Sequence, residues 1–220
     1  MIYFLSDKEI SFPDPRTFPR ESAEESLLAV GGTLSVPRLL LAYHHGIFPW
    51  APFRDRFLQW HCPMQRFVIF TNEVHISHSM RSVINRNEWY CTIDESFGEV
   101  LENCAHVQNR YDNEGAWLGE DIIEAYTKLY ELGYAKSVEV RQRADNKLVG
   151  GLYGVLVKSC FCGESMFSLV PSASKFALIK LAQMLHDYGV QIIDCQFETP
   201  HLKTMGGRFI PYDEYMQYLR

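Results

Sequence analysis

Pro13, Pro15, Pro19, Pro37, Pro49 and Pro52 all fall between residues 10 and 60. Each proline fixes its own φ and removes an amide donor, so this density argues against long helices and against a central strand there. One helix does fit. Ser35 is placed to cap it, Pro37 suits its first turn, and Arg38-Leu39-Leu40-Leu41-Ala42-Tyr43-His44-His45 continues it until Gly46. The aromatic loop Ile47-Phe48-Pro49-Trp50-Ala51-Pro52-Phe53 and the short apolar run Phe57-Leu58-Gln59-Trp60 follow. Residues 1–62 are therefore expected to form a small, irregular N-terminal domain.

From Arg66 the texture changes. Phe67-Val68-Ile69-Phe70 reads as a strand, and 77–86 and 96–106 as helices. Ile122, Ile123, Tyr126 and Leu129 give helical spacing over 120–132, with Gly133 as the stop. Strands are expected over 136–143, 148–157 and 159–168, the first two joined by the turn Ala144-Asp145-Asn146-Lys147. A helix capped at Ser172 or Ser174 should run to about His186, then an apolar strand over 190–196, and a short helix from Pro211. The expected fold class is α/β (α+β), with 63–220 as one mixed-sheet domain. A hairpin, a third strand, a helix and a further buried strand is the order found in acetyltransferase (GNAT-type) folds. Order alone says little about chemistry.

Charge narrows the partners. The chain of 220 residues carries 21 Lys plus Arg against 27 Asp plus Glu, a net −6. No segment is basic: residues 1–60 hold 6 basic and 7 acidic side chains, 61–110 hold 4 and 6, and 111–220 hold 11 and 14. A broad grip on a polyanion is thereby excluded, though a local contact is not. No run approaches the roughly 20 apolar residues that cross a bilayer, and the first residues lack a signal-peptide pattern. A cytoplasmic protein with reduced thiols is expected. Cys160 and Cys162 fall on one face of any strand but lack a CxxC or HxxxH partner, so no metal site is expected. The histidines are scattered, and no GxSxG, Walker or Rossmann pattern is present.

Three sets of residues stand out chemically. In the strand pair around Gly150-Gly151-Leu152-Tyr153-Gly154 and Phe161-Cys162-Gly163-Glu164-Ser165-Met166-Phe167-Ser168, the glycines imply close approach of a ligand or another backbone. Glu164 is there either an edge-strand carboxylate facing water or a buried one with partners. Asp194 and Gln196 alternate along an apolar strand and so share a face, placed to orient an amine or accept its proton; the competing reading ends the strand at Ile193. Trp50 and Trp117 lie in turn-rich segments, either stacking a base or plugging a joint between domains. The segment Ser168-Leu169-Val170-Pro171-Ser172-Ala173-Ser174-Lys175 lacks the glycines with which acetyltransferases cradle the coenzyme A pyrophosphate.

Several segments together resemble a known family. They are Leu28-Ala29-Val30-Gly31-Gly32-Thr33-Leu34-Ser35, Tyr43 with Gly46-Ile47-Phe48-Pro49-Trp50, Glu124-Ala125-Tyr126, and the run from Glu131 to Val140. Further on come Leu148 to Gly154, Phe161 to Ser168, Ala173-Ser174-Lys175, Ile193-Asp194-Cys195-Gln196 and Met205-Gly206-Gly207. In this order, over nearly the whole chain, they are similar to the bacterial leucyl/phenylalanyl-tRNA–protein transferases.

The resemblance implies an aminoacyltransferase that moves Leu, Phe or Met from aminoacyl-tRNA to the N-terminal Arg or Lys of a protein and so marks it for degradation. The ester donor is already activated, which implies no cofactor. It further implies that Trp50 and Trp117 hold the 3′-terminal adenosine, with Tyr43 and Tyr126 also lining the substrate site. Leu152, Phe161, Met166 and Leu178 match an apolar pocket for the transferred side chain; Leu152 is Met in some relatives. Asp194 and Gln196 match the pair that orients or deprotonates the amine, and Glu164 a carboxylate that receives the cationic acceptor. Arg66, Arg81 and Arg86 are the expected local contacts to the tRNA backbone. A monomer is expected. The alternatives are a coenzyme A-dependent N-acetyltransferase and a non-catalytic adaptor for protein N-termini.

Overall fold

The computed structural model describes residues 2–20, 25–50, 58–106 and 119–220. Its first part is more regular than the prolines suggested. Four short strands, β1 (Tyr3–Leu5), β2 (Leu27–Gly31), β3 (Phe48–Trp50) and β4 (Gln59–His61), form a sheet in the order β1-β2-β4-β3. The prolines are accommodated rather than defied. Pro49 lies in β3, an edge strand, where a missing N–H costs no ladder bond on the open side. Interior β2 contains none, so the expectation of no central strand fails where the prolines are sparse. The helix α1 (Val36–His44) follows β2 with Pro37 in its first turn, and Gly46 at φ 68° ends it as expected. Ser35 is its cap residue but makes no side-chain cap bond.

The second sheet has seven strands in the order β11-β5-β10-β9-β8-β7-β6. These are β5 (Gln65–Phe70), β6 (Trp89–Ile93), β7 (Ala135–Gln142), β8 (Leu148–Val157), β9 (Cys160–Ser168), β10 (Ile192–Asp194) and β11 (Arg208–Pro211). Only β9 and β10 run parallel, joined by the long helix α5 (Ala173–Asp187); the other pairings are antiparallel. The expected order of hairpin, third strand, helix and buried strand is present. The short elements β6, β11 and α6 (Pro200–Thr204) had no periodicity long enough to register. The chain closes with α7 (Tyr212–Tyr215).

Alternation along the strands separates two cores. The helices α2 (His78–Arg86) and α5 pack with Ile69, Leu152, Phe161 and Ile193. On the other face α1, α3 (Phe97–His106), α4 (Glu120–Glu131) and the small sheet pack with Val68, Tyr153, Cys162 and Ile192. The small sheet therefore shares a core with the large one.

The glycines of β8 answer to the protein's own packing. A Cβ on Gly150 would lie 2.5 Å from the Cβ of Ala173, and one on Gly154 would lie 2.2 Å from the carbonyl oxygen of Cys162. At Gly154 the register with β9 shifts: Tyr153 opposes Ser165, while Gly154 opposes Gly163. One residue of β9, Glu164, is left without a partner in the ladder. This is a β-bulge, a device that re-aims a side chain.

Candidate active site

The bulge sits where the sheet loses a strand. Strand β10 ends at Asp194, opposite Cys162, whereas β9 continues to Ser168. Glu164 therefore lies in the stretch of β9, from Gly163 on, that has lost its β10 neighbour. It is half-buried and bonded to two tyrosine hydroxyls, so it is not a carboxylate facing water. Its partners come from two helices. The Tyr43 hydroxyl of α1 donates to Glu164 Oε1 at 2.8 Å, and the Tyr126 hydroxyl of α4 donates to Oε2 at 2.8 Å. The two tyrosine oxygens lie 2.5 Å apart, closing a triangle. Burial pushes the Glu164 carboxyl up to about 7, and the tyrosine hydroxyls keep it from going higher.

Asp194 is the second carboxylate, fully buried. Arg66 of β5 grips it bidentately, Nε to Oδ1 at 2.8 Å and Nη2 to Oδ2 at 2.9 Å. The Tyr215 hydroxyl donates to Oδ2 at 2.7 Å and the backbone N–H of Gln196 to Oδ1 at 2.8 Å. Each oxygen thus accepts two bonds, and the guanidinium cancels the charge. Arg66 is itself 1% exposed and lies between the rings of Phe48 and Tyr215, 4.6 and 4.7 Å from their centroids. Burial opposes its charge, but Asp194 and Tyr215 outweigh that and hold the guanidinium well above its usual range.

Two expectations are corrected here. Arg66 is no contact for a tRNA backbone, because a fully buried arginine paired with an aspartate presents nothing to a phosphate. Arg81 and Arg86 are exposed on α2 and keep that possibility. Asp194 and Gln196 do not share a face by strand alternation. The strand ends at Asp194, and Gln196 turns at φ 64°, a left-handed conformation uncommon outside glycine and asparagine. The Asp194 bond to the Gln196 amide holds that turn, and Gln196 Nε2 then donates to Glu164 Oε1 at 3.4 Å. Asp194, Gln196 and Glu164 are brought together, but by a turn.

The bulge has a second consequence. Phe161 and Met166 are an odd number of residues apart and would point to opposite faces of a regular strand. With one extra residue between them both join the α5-side core, beside Leu152 and Leu178. Leu152, paired with Met166 across the ladder, is 3% exposed, and Phe161 and Leu178 are 2% exposed; Met166 is the half-buried member.

Trp50 ends β3, half-buried, with its ring edge-on to Phe197 at 5.6 Å and 6.1 Å from His61. Phe197 also meets Phe48 at 5.6 Å. The aromatic group thus ties the small sheet to the residue that follows Gln196. His61 bonds Ser26 through Nδ1 and Gln59 through Nε2, and burial holds its imidazole down to about 4, so it stays neutral. Trp117 lies outside the described residues. Sequence reasoning missed Arg66 as a partner of Asp194, together with Tyr215 and Phe197. A charged residue opening the apolar run of β5 was the one available signal.

The thiols of Cys160 and Cys162 approach Asp194 closely enough to suggest a metal cluster. The chemistry is unfavourable. Both carboxylate oxygens are already engaged, and the neighbouring Cys160 together with burial keeps the Cys162 thiol well above its ordinary range, away from the thiolate a metal needs. At the start of α5, Ser172 makes no side-chain cap bond; the Ser168 hydroxyl instead accepts from Ser174 N–H at 2.7 Å. That amide, which a pyrophosphate cradle would need, is occupied from within.

Comparison with known proteins agrees with this layout. The family model for leucyl/phenylalanyl-tRNA protein transferase matches residues 68–220, and the model for the N-terminal domain of the same family matches residues 32–64. A leucyl/phenylalanyl-tRNA–protein transferase of Flavobacterium psychrophilum is 46% identical over 219 residues, covering all of both chains. One from Idiomarina loihiensis is 46% identical over 94% of this chain and 84% of its own, and one from Hydrogenovibrio crunogenus 42% identical over 99% and 83%. Matched by the family's model over its large sheet and by relatives along its full length, the chain belongs to the leucyl/phenylalanyl-tRNA–protein transferase family.

Proposed function

We propose that the protein transfers Leu, Phe or Met from the 3′ end of aminoacyl-tRNA to the α-amine of a protein beginning with Arg or Lys. The amine attacks the ester carbonyl, a C–N bond forms, the bond to the ribose oxygen breaks, and free tRNA leaves. The product's bulky apolar N-terminus then marks it for degradation. The observation that carries the reading is the charge balance of the site. Asp194 is neutralised by Arg66, so among the described residues of the site Glu164 alone supplies net negative charge, half-buried and suited to a cationic N-terminus.

Each side chain has a part in this reading. Gln196, fixed by Asp194, orients the amine beside Glu164. Because both oxygens of Asp194 are engaged, it acts as a strut for that turn rather than as a proton acceptor. Trp50, and Trp117 with it, stack the terminal adenine. Met166 meets the transferred side chain at the rim of the apolar group formed with Leu152, Phe161 and Leu178, and its pliable thioether tolerates Leu, Phe and Met alike. Arg81 and Arg86 contact the tRNA backbone, which implies modest salt dependence. No helix among the described residues is long and apolar enough to cross a membrane, and we place the enzyme in the cytoplasm as a monomer.

The test is transfer of radiolabelled Leu from Leu-tRNA to two peptides that differ only in beginning with Arg or Ala. Labelling of the Arg peptide alone is expected. No labelling of either, with freshly charged tRNA, removes the proposal.

A further inference from the structure

At neutral pH the acceptor arrives as an α-ammonium, and an ammonium has no lone pair with which to attack. Something must take its first proton. Asp194 has both oxygens committed to Arg66, Tyr215 and the Gln196 amide. Gln196 has no basic group. Among the described residues Glu164 remains, and the hydrogen bonds around it can be counted. The triangle of Glu164, Tyr43 and Tyr126 contains three oxygen–oxygen contacts, at 2.8, 2.8 and 2.5 Å. With Glu164 ionised, the two hydroxyls supply only two protons, and one contact is left without a hydrogen. With Glu164 protonated, the group can close as a ring in which each oxygen centre donates once and accepts once. The ionised form has two charge-assisted bonds and the protonated form three neutral ones, so both states are housed with no heavy atom moved; only a hydroxyl hydrogen turns, from Glu164 to the other tyrosine.

We propose that Glu164, closed into this ring with Tyr43 and Tyr126, is the group that takes the proton the acceptor's α-ammonium must lose before it attacks. This rests on the transfer reaction given above. The ammonium N–H bond breaks, its electron pair stays on nitrogen, and the proton passes to a Glu164 oxygen, giving a neutral amine and a neutral carboxylic acid. The lone pair then forms the C–N bond at the ester carbonyl. The second N–H proton ends on the departing ribose oxygen, and Glu164 returns its own proton to solvent before the next turnover. No oxidant, metal or further reactant is required.

The surroundings suit the step. Tyr43 on α1, Tyr126 on α4, Tyr153 on β8, Asp194 on β10 and Arg66 on β5 are the titratable groups that act on Glu164. Burial, and to a smaller extent Asp194, raise its affinity for a proton, while the two tyrosine hydroxyls and Arg66 lower it, and the balance is about 7. An α-ammonium has an ordinary pKa of about 8, so the transfer is nearly level. An ordinary carboxylate near 4 would be too weak a base to hold the proton.

The experiment is the pH profile of single-turnover transfer at saturating Leu-tRNA, with an Arg peptide and enzyme in excess. Wild type is expected to show an acid limb with a midpoint near 7. Tyr43→Phe and Tyr126→Phe each remove a hydroxyl that favours the carboxylate, so the limb should move to higher pH, by about one unit. The acceptor's own amine titrates identically in all three proteins and does not move it. Glu164→Gln is expected to lose about 10²–10³-fold in rate and to leave a limb near 8, the acceptor amine's own titration, with the KM for aminoacyl-tRNA kept. A limb that stays in place in both tyrosine variants, with transfer intact, overturns the role of Glu164 and leaves the transfer reaction standing; absence of transfer in wild type overturns the reaction beneath it. Should a tyrosine variant misfold, ¹³C NMR of glutamate-labelled wild type provides the second arm. A resonance absent from Glu164→Gln should titrate near 7, and one titrating near 4 overturns the proposal.

Discussion

A carboxylic acid held in the middle of a sheet makes folding sensitive to pH, and for Glu164 the sign can be worked out. Its carboxyl titrates at about 7 in the folded chain against 4.5 in the reference state. The folded protein therefore binds the proton more tightly than the unfolded one, and stability falls as pH rises between those values. Below that window the side chain is neutral in both states and costs nothing. Glu164→Gln imitates the neutral form. It is expected to unfold in urea at the same midpoint as wild type at pH ~4, and to be more stable by about 1–3 kcal/mol at pH ~8. Equal midpoints at both pH values would show that Glu164 is not held as described. The suspicion falling on Glu164 was legible, because a lone charge among Gly163, Ser165 and apolar neighbours needs a partner. Its partners were not, since Tyr43 lies 121 residues away in sequence and Tyr126 38. The same holds for Arg66 and Asp194, 128 apart, which is why a buried ion pair looked from sequence like a surface arginine.

Among the elements, the bulge between β8 and β9 does most to shape the site. It singles out Glu164 and returns Met166 to the face of Phe161. Gly154 permits it, since any Cβ there would collide with the Cys162 carbonyl, which is backbone and cannot swing away. Gly163, across the ladder, is different: its nearest neighbour would be the Asp194 carbonyl oxygen at 3.4 Å, an ordinary contact. Gly154→Ala is therefore expected to cost several kcal/mol and most of the transfer activity, while Gly163→Ala should cost about 1 kcal/mol or less. Thermal unfolding of the two variants checks this, and equal losses would remove the bulge from the account. The long elements α4, α5, β7, β8 and β9 were readable because each repeats its period several times. The small sheet was not. Its strands are three to five residues long, and β3 carries a proline that only an edge position tolerates. Register was also beyond the sequence, since one extra residue in β9 shows only against its partner strand.

Across the whole molecule, the site is an assembly of parts no single element contains. The small sheet supplies Phe48 and Trp50, α1 supplies Tyr43, α4 Tyr126, the large sheet Arg66, Glu164 and Asp194, and α7 Tyr215. The joint is aromatic, with Trp50 and Phe48 both against Phe197 beside the Gln196 turn. Trp50 thus occupies the joint while staying only half-buried, so the plug and the stacking platform are compatible. Trp50→Ala is expected to raise the KM for aminoacyl-tRNA by an amount equivalent to about 1–3 kcal/mol of stacking, with the KM for the acceptor peptide little changed. Steady-state kinetics in both substrates separates the two. The net charge of −6 accords with the proposal that tRNA is held by its tip. The most direct measurement is a crystal structure with a puromycin-like analogue of the aminoacylated 3′ end. Its adenine is expected against Trp50, its amino-acid side chain at Met166, and its carbonyl within reach of Gln196 and Glu164. An analogue bound away from Trp50, with the ring of Glu164, Tyr43 and Tyr126 untouched, would contradict this.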